Sequence, residues 1–156
     1  MYKFLIRMSS TFFGLGYFPL IPGTAASLVG IILYFLLKDN PLIYILTLAV
    51  LLILGFLTSG RLEAMLGKKD PSCVVIDEVC GMLLALLFLP YNIKLVIIGF
   101  FIFRLLDMLK PFPVGRLERL KGSWGIMLDD LVAGIYTNFV LQVVVMLTFR
   151  SPYLSN

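Results

Sequence analysis

Five carboxylates lie in strongly apolar stretches of this chain: Asp77 and Glu78, Asp107, and the doublet Asp129 and Asp130. An acid at the centre of a membrane helix costs about 2.5–3.5 kcal/mol on insertion scales. Five such acids on three predicted helices need compensation, and a divalent cation is the simplest source. Hard oxygen ligands drawn from several helices suit Mg²⁺, which also binds substrate phosphates. All five are therefore candidate metal ligands and candidate catalytic groups, and any one could take a proton while the others hold metal. The alternative is an ion-pair network. Arg104 precedes Asp107 by three residues, so the two can pair on one helix face, and Lys110 or Lys121 could answer the doublet. That network explains one pair well but leaves two adjacent acid doublets short of cations.

Small residues accompany the acids. Gly81 follows Asp77 by four and Gly134 follows Asp130 by four, so helix backbones can approach closely beside the acids. Asn138 and Gln142 continue the Asp130–Gly134 stripe, which points that face into the bundle. Residues 14–27 are rich in glycine and proline yet too apolar for an exposed linker. They read as a re-entrant loop whose end, Gly23 and Thr24 with Ser27 beyond, starts a helix and offers free N–H groups to a phosphate. Glu63, Asp70 and Glu118 read as wet interface or loop charges, Asp70 also as a helix N-cap before Pro71.

What the chain lacks narrows the chemistry. It has no histidine, which removes phosphohistidine chemistry and leaves serine hydrolases without their base. Cysteine phosphatases need an arginine six residues after the nucleophile; Val79 and Leu86 stand at those positions after Cys73 and Cys80. On one helix these cysteines are roughly 10 Å apart along the axis, too far for a disulfide. No Asp-x-Asp pattern for an aspartyl phosphate is present.

The elements that must position the acids are membrane helices. The chain has 156 residues, enough for one domain over 1–156, is 60% hydrophobic and only 14% charged, with a mean hydropathy of +1.02. Soluble domains are about 45–50% apolar and about 25% charged, so lipid is the predicted solvent. The net charge of +4 forms no basic face with stacking aromatics, which argues against nucleic acid. The fold class is all-α, a polytopic bundle of about five spans over 24–37, 41–60, 71–89, 92–109 and 126–149. The first ten residues read as an interfacial amphipathic helix rather than a signal peptide, because Arg7 interrupts the apolar run. Nine basic residues fall on one side: Lys3, Arg7, Arg61, Lys68, Lys69, Lys110, Arg116, Arg119 and Lys121. Lys38, Lys94 and Arg150 fall on the other. The basic side is predicted to be cytoplasmic, with the N-terminus inside and the C-terminus outside. All the acids except Asp39 share that side.

The motifs together resemble the phosphatidylglycerophosphatase A family over nearly the full length. Three blocks carry the likeness. The first holds Gly14, Gly16, Pro19, Pro22, Gly23, Thr24, Ser27 and Leu28. The second holds Asp70, Val75, Ile76, Asp77, Glu78 and Gly81. The third holds Phe103, Arg104, Asp107, Lys110, Pro111 and Pro113, then Gly125, Ile126, Met127, Asp129, Asp130, Ala133 and Gly134. Ile21, Ala26, Leu106 and Ser123 are untypical, but none is a charged position. The resemblance implies Mg²⁺-dependent hydrolysis of phosphatidylglycerophosphate to phosphatidylglycerol and phosphate at the cytoplasmic face of a bacterial inner membrane. On that reading Asp77, Glu78, Asp107, Asp129 and Asp130 hold metal and do chemistry. Arg104, Lys110, Gly23, Thr24, Ser27 and Asp70 bind substrate. A CDP-alcohol phosphatidyltransferase would need an acid run with Asp-Gly and Ala-Arg steps that is absent. An ion-binding transporter subunit would favour acids at the bilayer midplane.

Overall fold

A computed structural model describes residues 2–110, 112, 114–117 and 120–150. Pro111, Pro113, Glu118 and Arg119 lie outside the described residues, as do 151–156. Among the described residues all regular structure is helical, with no strand. Helix α1 (Tyr2–Ser10) leads into a loop containing a 3-10 turn (Leu15–Tyr17), then α2 (Pro22–Leu37), α3 (Pro41–Leu66), α4 (Ile76–Leu86), α5 (Ile93–Leu109), the single turn α6 (Val114–Leu117) and α7 (Ser123–Arg150). Two of these, α3 and α7, are long and apolar enough to cross a membrane.

Local chemistry sets the ends. Asn40 caps α3 by accepting a hydrogen bond from the Ile43 N–H at 3.2 Å, Pro41 fills the first position, and Gly67 ends the helix in the left-handed region. Asn92 caps α5 through the Lys94 N–H at 2.9 Å. The helix expected over 71–89 is shorter at both ends. Asp70 does not cap it: its φ is +44°, and residues 71–75 form a turn in which Val74 N–H donates to the Pro71 carbonyl at 2.8 Å. Pro71 disfavours helix in the residue before it, and the Val75 N–H is claimed by the Ser10 carbonyl at 3.0 Å. The helix therefore starts at Ile76, without a side-chain cap.

This short helix is the centre of the molecule. Nine of its eleven residues are buried: Ile76, Asp77, Val79, Cys80, Gly81, Met82, Leu83, Ala85 and Leu86. Helices α2, α3, α5 and α7 pack around it. The tightest approach is to α7, where a Cβ on Gly134 would collide with the Gly81 carbonyl and one on Gly81 would meet the Phe103 ring and the Asp130 carbonyl. Any larger residue at either glycine would force the helices apart.

Because α4 ends early, its last carbonyls lack helical partners in an apolar setting. Side chains from its neighbours supply them. The Tyr44 hydroxyl donates to the Leu83 carbonyl at 2.6 Å. Asn138 Nδ2 donates to the Ala85 and Leu87 carbonyls at 3.1 and 2.8 Å. Gln142 Nε2 lies 3.5 Å from the Phe88 carbonyl. The inward stripe read on α7 thus serves the fold by closing the C-terminal end of α4.

Candidate active site

The opposite end of α4 carries the acids. The Gly81–Gly134 contact lies one turn beyond Asp77 on α4 and one turn beyond Asp130 on α7, so it draws those carboxylates together. Asp77, Glu78 and Asp130 each present an oxygen within 4.8 Å of the others. Asp77 and Asp130 are only 6% and 3% exposed. Asp77 Oδ1 and Glu78 Oε2 are fully buried and have no hydrogen-bond partner. Buried polar atoms in folded proteins are almost always satisfied, and an unpaired buried carboxylate is costly. Three converging carboxylates, two of them with an orphaned oxygen, fit a hard divalent cation.

The other two acids are held differently. Arg104 Nη1 donates to Asp107 Oδ2 within α5. Lys110 Nζ donates to Asp129 Oδ2 at 2.9 Å, and Asp129 Oδ1 accepts the Asp130 N–H at 3.1 Å. Of the five acids read from the sequence, three converge on one another and two pair with Arg104 and Lys110, Asp107 also lying beside Asp130. The ion-pair alternative describes the second group and leaves the first unexplained.

All five acids, Arg104 and Lys110 line one cavity of about 350 Å³. Gly23, Thr24 and Asp70 line it as well. Gly23 sits so near the acids that a Cβ there would collide with Glu78 Oε1 and crowd Arg104 Nη1. Its lack of a side chain lets the start of α2 border the cavity. Ser27 is not part of the lining; it is fully buried and its hydroxyl donates to the Gly23 carbonyl at 2.9 Å, bracing the first turn of α2. Sequence reasoning missed Leu20, Ile21, Ser72 and Val74, which also line the cavity. Reading Pro71 as a helix start hid the last two. The contrast of apolar Leu20 and Ile21 with the polar turn after them was the available signal for the first two.

Such a cavity, with converging acids and two cations facing a space large enough for a phosphate ester, suits metal-assisted phosphoryl chemistry. Comparisons with known proteins agree. The model of the family described as Phosphatidylglycerophosphatase A matches residues 8–145. A Bacteroides thetaiotaomicron protein with the provisional name phosphatidylinositol-3-phosphatase is 40% identical over 152 residues, covering 90% of this chain and 94% of that protein. Phosphatidylglycerophosphatase A of Escherichia coli K12 is 36% identical over 135 residues, 85% of this chain and 78% of that protein. The Haemophilus influenzae protein of the same name is 33% identical over 140 residues, 87% of this chain and 86% of its own. No solved structure matches the chain. The acid cavity and the match over residues 8–145 make the chain a phosphatase that belongs to the phosphatidylglycerophosphatase A family.

Proposed function

We propose that this protein removes the terminal phosphate of phosphatidylglycerophosphate, giving phosphatidylglycerol and inorganic phosphate, with Mg²⁺ held by Asp77, Glu78 and Asp130. The observation that carries the reading is the convergence of these three acids, with Asp77 Oδ1 and Glu78 Oε2 left without partners, on a cavity that Arg104 and Lys110 also face. Mg²⁺ bound there supplies positive charge that polarises phosphoryl oxygens.

The chain's own groups do the rest. Arg104 and Lys110 offset phosphate charge, Arg104 through a planar fork that can grip two oxygens. Asp107 tethers Arg104 through Oδ2 and Asp129 tethers Lys110 through its own Oδ2, so both cations are aimed before substrate arrives. Asp129 has its second oxygen occupied by the Asp130 N–H; Asp107, whose carboxylate also lies against that of Asp130 beside the proposed metal, is assigned to take a proton from the attacking water. The N–H groups at the start of α2, bared by Gly23, complete the anion site. The second, phosphate-distal part of the headgroup is left to Asp70 and Ser72 at the mouth.

The same reading sets the chain in a bacterial inner membrane with five crossings, N-terminus and acid cavity in the cytoplasm. The nine-to-three distribution of basic residues supports that orientation. At about 16 Å long, α4 covers half of a bilayer core, so the third crossing is completed by non-helical backbone. The side-chain bonds from Tyr44 and Asn138 satisfy that backbone, as burial away from water requires.

A second substrate has one specific support, the 40% identical relative named for phosphatidylinositol 3-phosphate. Phosphate release is therefore measured from vesicles carrying either lipid, with Mg²⁺, with EDTA, and with Mg²⁺ restored. Faster release from phosphatidylglycerophosphate that stops with EDTA and returns with Mg²⁺ is the expected result. Preference for the inositol lipid would move the substrate assignment, and turnover undiminished by EDTA would remove the metal.

A further inference from the structure

The acid cavity has one wall that is not polar. Leu20 is 82% exposed and Ile21 is 56% exposed, yet both line the cavity beside Pro22 and Gly23. Across from them stands α5, whose Arg104 and Asp107 face the same space. On a helix the residues flanking that pair lie about 100° to either side. On one side is Phe103, fully buried in the core. On the other are Leu105 and Met108, 56% and 75% exposed, continuing the exposed Phe101. The Arg104–Asp107 pair therefore marks the border on α5 between the packed interior and an outward apolar face. The cavity is thus lined by apolar residues on the loop before α2, and the α5 residues that line it, Arg104 and Asp107, adjoin an exposed apolar face that is not itself part of the lining.

We propose that the cavity opens here in a lateral portal, with Leu20 and Ile21 on one rim and Leu105 and Met108 on the other, which seats the glycerol and first acyl carbons of the substrate. The inference rests on the reading of the chain as a lipid phosphatase in a bilayer. The occupant follows from continuity: of the apolar residues lining the acid cavity Val74 is buried, whereas Leu20 and Ile21 are exposed, so the organic part of a bound phosphomonoester leaves past Leu20 and Ile21 onto exposed apolar surface. A soluble phosphate ester gains nothing from these rims. A diacyl lipid buries apolar area there, at about 25 cal/mol per Å². The rims thus select for lipid-anchored phosphomonoesters through binding rather than through the chemical step, and an effect on KM with kcat retained is the signature of such uniform binding.

The test uses the full chain in vesicles and two paired variants, Leu20→Ser with Ile21→Ser, and Leu105→Ser with Met108→Ser. Their side chains are exposed and lie outside the buried core. With dioleoyl phosphatidylglycerophosphate, KM as a surface fraction is expected to rise about tenfold while kcat stays within about twofold. With the deacylated, water-soluble counterpart, kcat/KM is expected to stay unchanged. A second measurement needs no turnover: phosphatidic acid carrying a diazirine on the acyl chain next to the glycerol is photolysed with the wild-type chain. Label on peptides covering 17–22 and 101–109 supports the portal. Equal losses on lipid and soluble substrates, or label chiefly on the outer face of α3 around Ile43, Leu46 and Val50, would overturn it. A wild type that hydrolyses neither phosphatidylglycerophosphate nor its deacylated form removes the proposed function instead, and the labelling pattern still decides the portal.

Discussion

The two ends of α4 are both buried and both polar, but they are finished in opposite ways. At the C-terminal end the carbonyls of Leu83, Ala85 and Leu87 each receive a donor, from Tyr44 or Asn138. At the N-terminal end Asp77 Oδ1 and Glu78 Oε2 receive none. The same two neighbours, α3 and α7, are within reach of α4, so the difference is not a shortage of polar side chains. A buried acceptor left unsatisfied costs roughly 1–3 kcal/mol, and more when charged. One end of the helix has its acceptors closed by the fold, and the other leaves two open, as the proposed Mg²⁺ site requires.

Substitutions at the acid end separate activity from stability most sharply. Asp77→Asn or Asp130→Asn removes charge at constant volume. Each is expected to lower phosphate release at least about tenfold, the effect of one lost contact of about 1.4 kcal/mol in the transition state. Their melting temperatures in EDTA should match or exceed the wild type, because a buried like-charge cluster has been relieved. Activity within twofold of wild type for both variants would return these acids to a structural role.

Arg104→Lys comes next. Lysine keeps the charge but loses the fork. A fall of about tenfold in kcat/KM is expected, with insertion and melting unchanged. Wild-type kinetics for Arg104→Lys, with collapse of folding for Arg104→Ala, would make Arg104 only a partner for Asp107.

The capped end should behave in reverse. Asn138→Leu strips donors from two carbonyls and is expected to destabilise by about 2–4 kcal/mol, from one to two unmet acceptors, read as a lower melting temperature in detergent. Activity per folded molecule should fall less than about threefold. A loss of activity as large as that of Asp77→Asn, at unchanged stability, would erase the distinction between the ends. The smallest effect belongs to Tyr44→Phe, which leaves the single Leu83 carbonyl without its donor, costs about 1–3 kcal/mol and should leave kinetics unaltered.

Much of this contrast was legible in the residues. The acids stood out because charge in apolar sequence is rare, and the four-residue steps from Asp77 to Gly81 and from Asp130 to Gly134 placed each acid beside a close helix contact. The inward stripe of Asn138 and Gln142 was legible for the same periodic reason. The length of α4 was not. Asp70 followed by Pro71 carries every local mark of a helix start, and only the long-range bond from Val75 to the Ser10 carbonyl moves the start to Ile76. The two ion pairs were legible as an alternative, Arg104 with Asp107 and Lys110 with the doublet; spacing did not say which member of the doublet Lys110 would take, and it takes Asp129 across 19 residues of sequence. Ser27 shares a motif with Gly23 and Thr24 but turns inward to the Gly23 carbonyl, a side-chain direction that spacing alone does not encode.

The most direct test of the difference between the two ends is Mg²⁺ titration followed by thermal unfolding, on the wild type, Asp130→Asn and Asn138→Leu. A ligand that binds only the folded state raises the melting temperature in a saturable way. The predicted result is a saturable rise for the wild type and for Asn138→Leu, the latter from a lower starting point, and none for Asp130→Asn. An equal rise in all three, or no rise in the wild type, would contradict the assignment of the converging carboxylates to a metal ion.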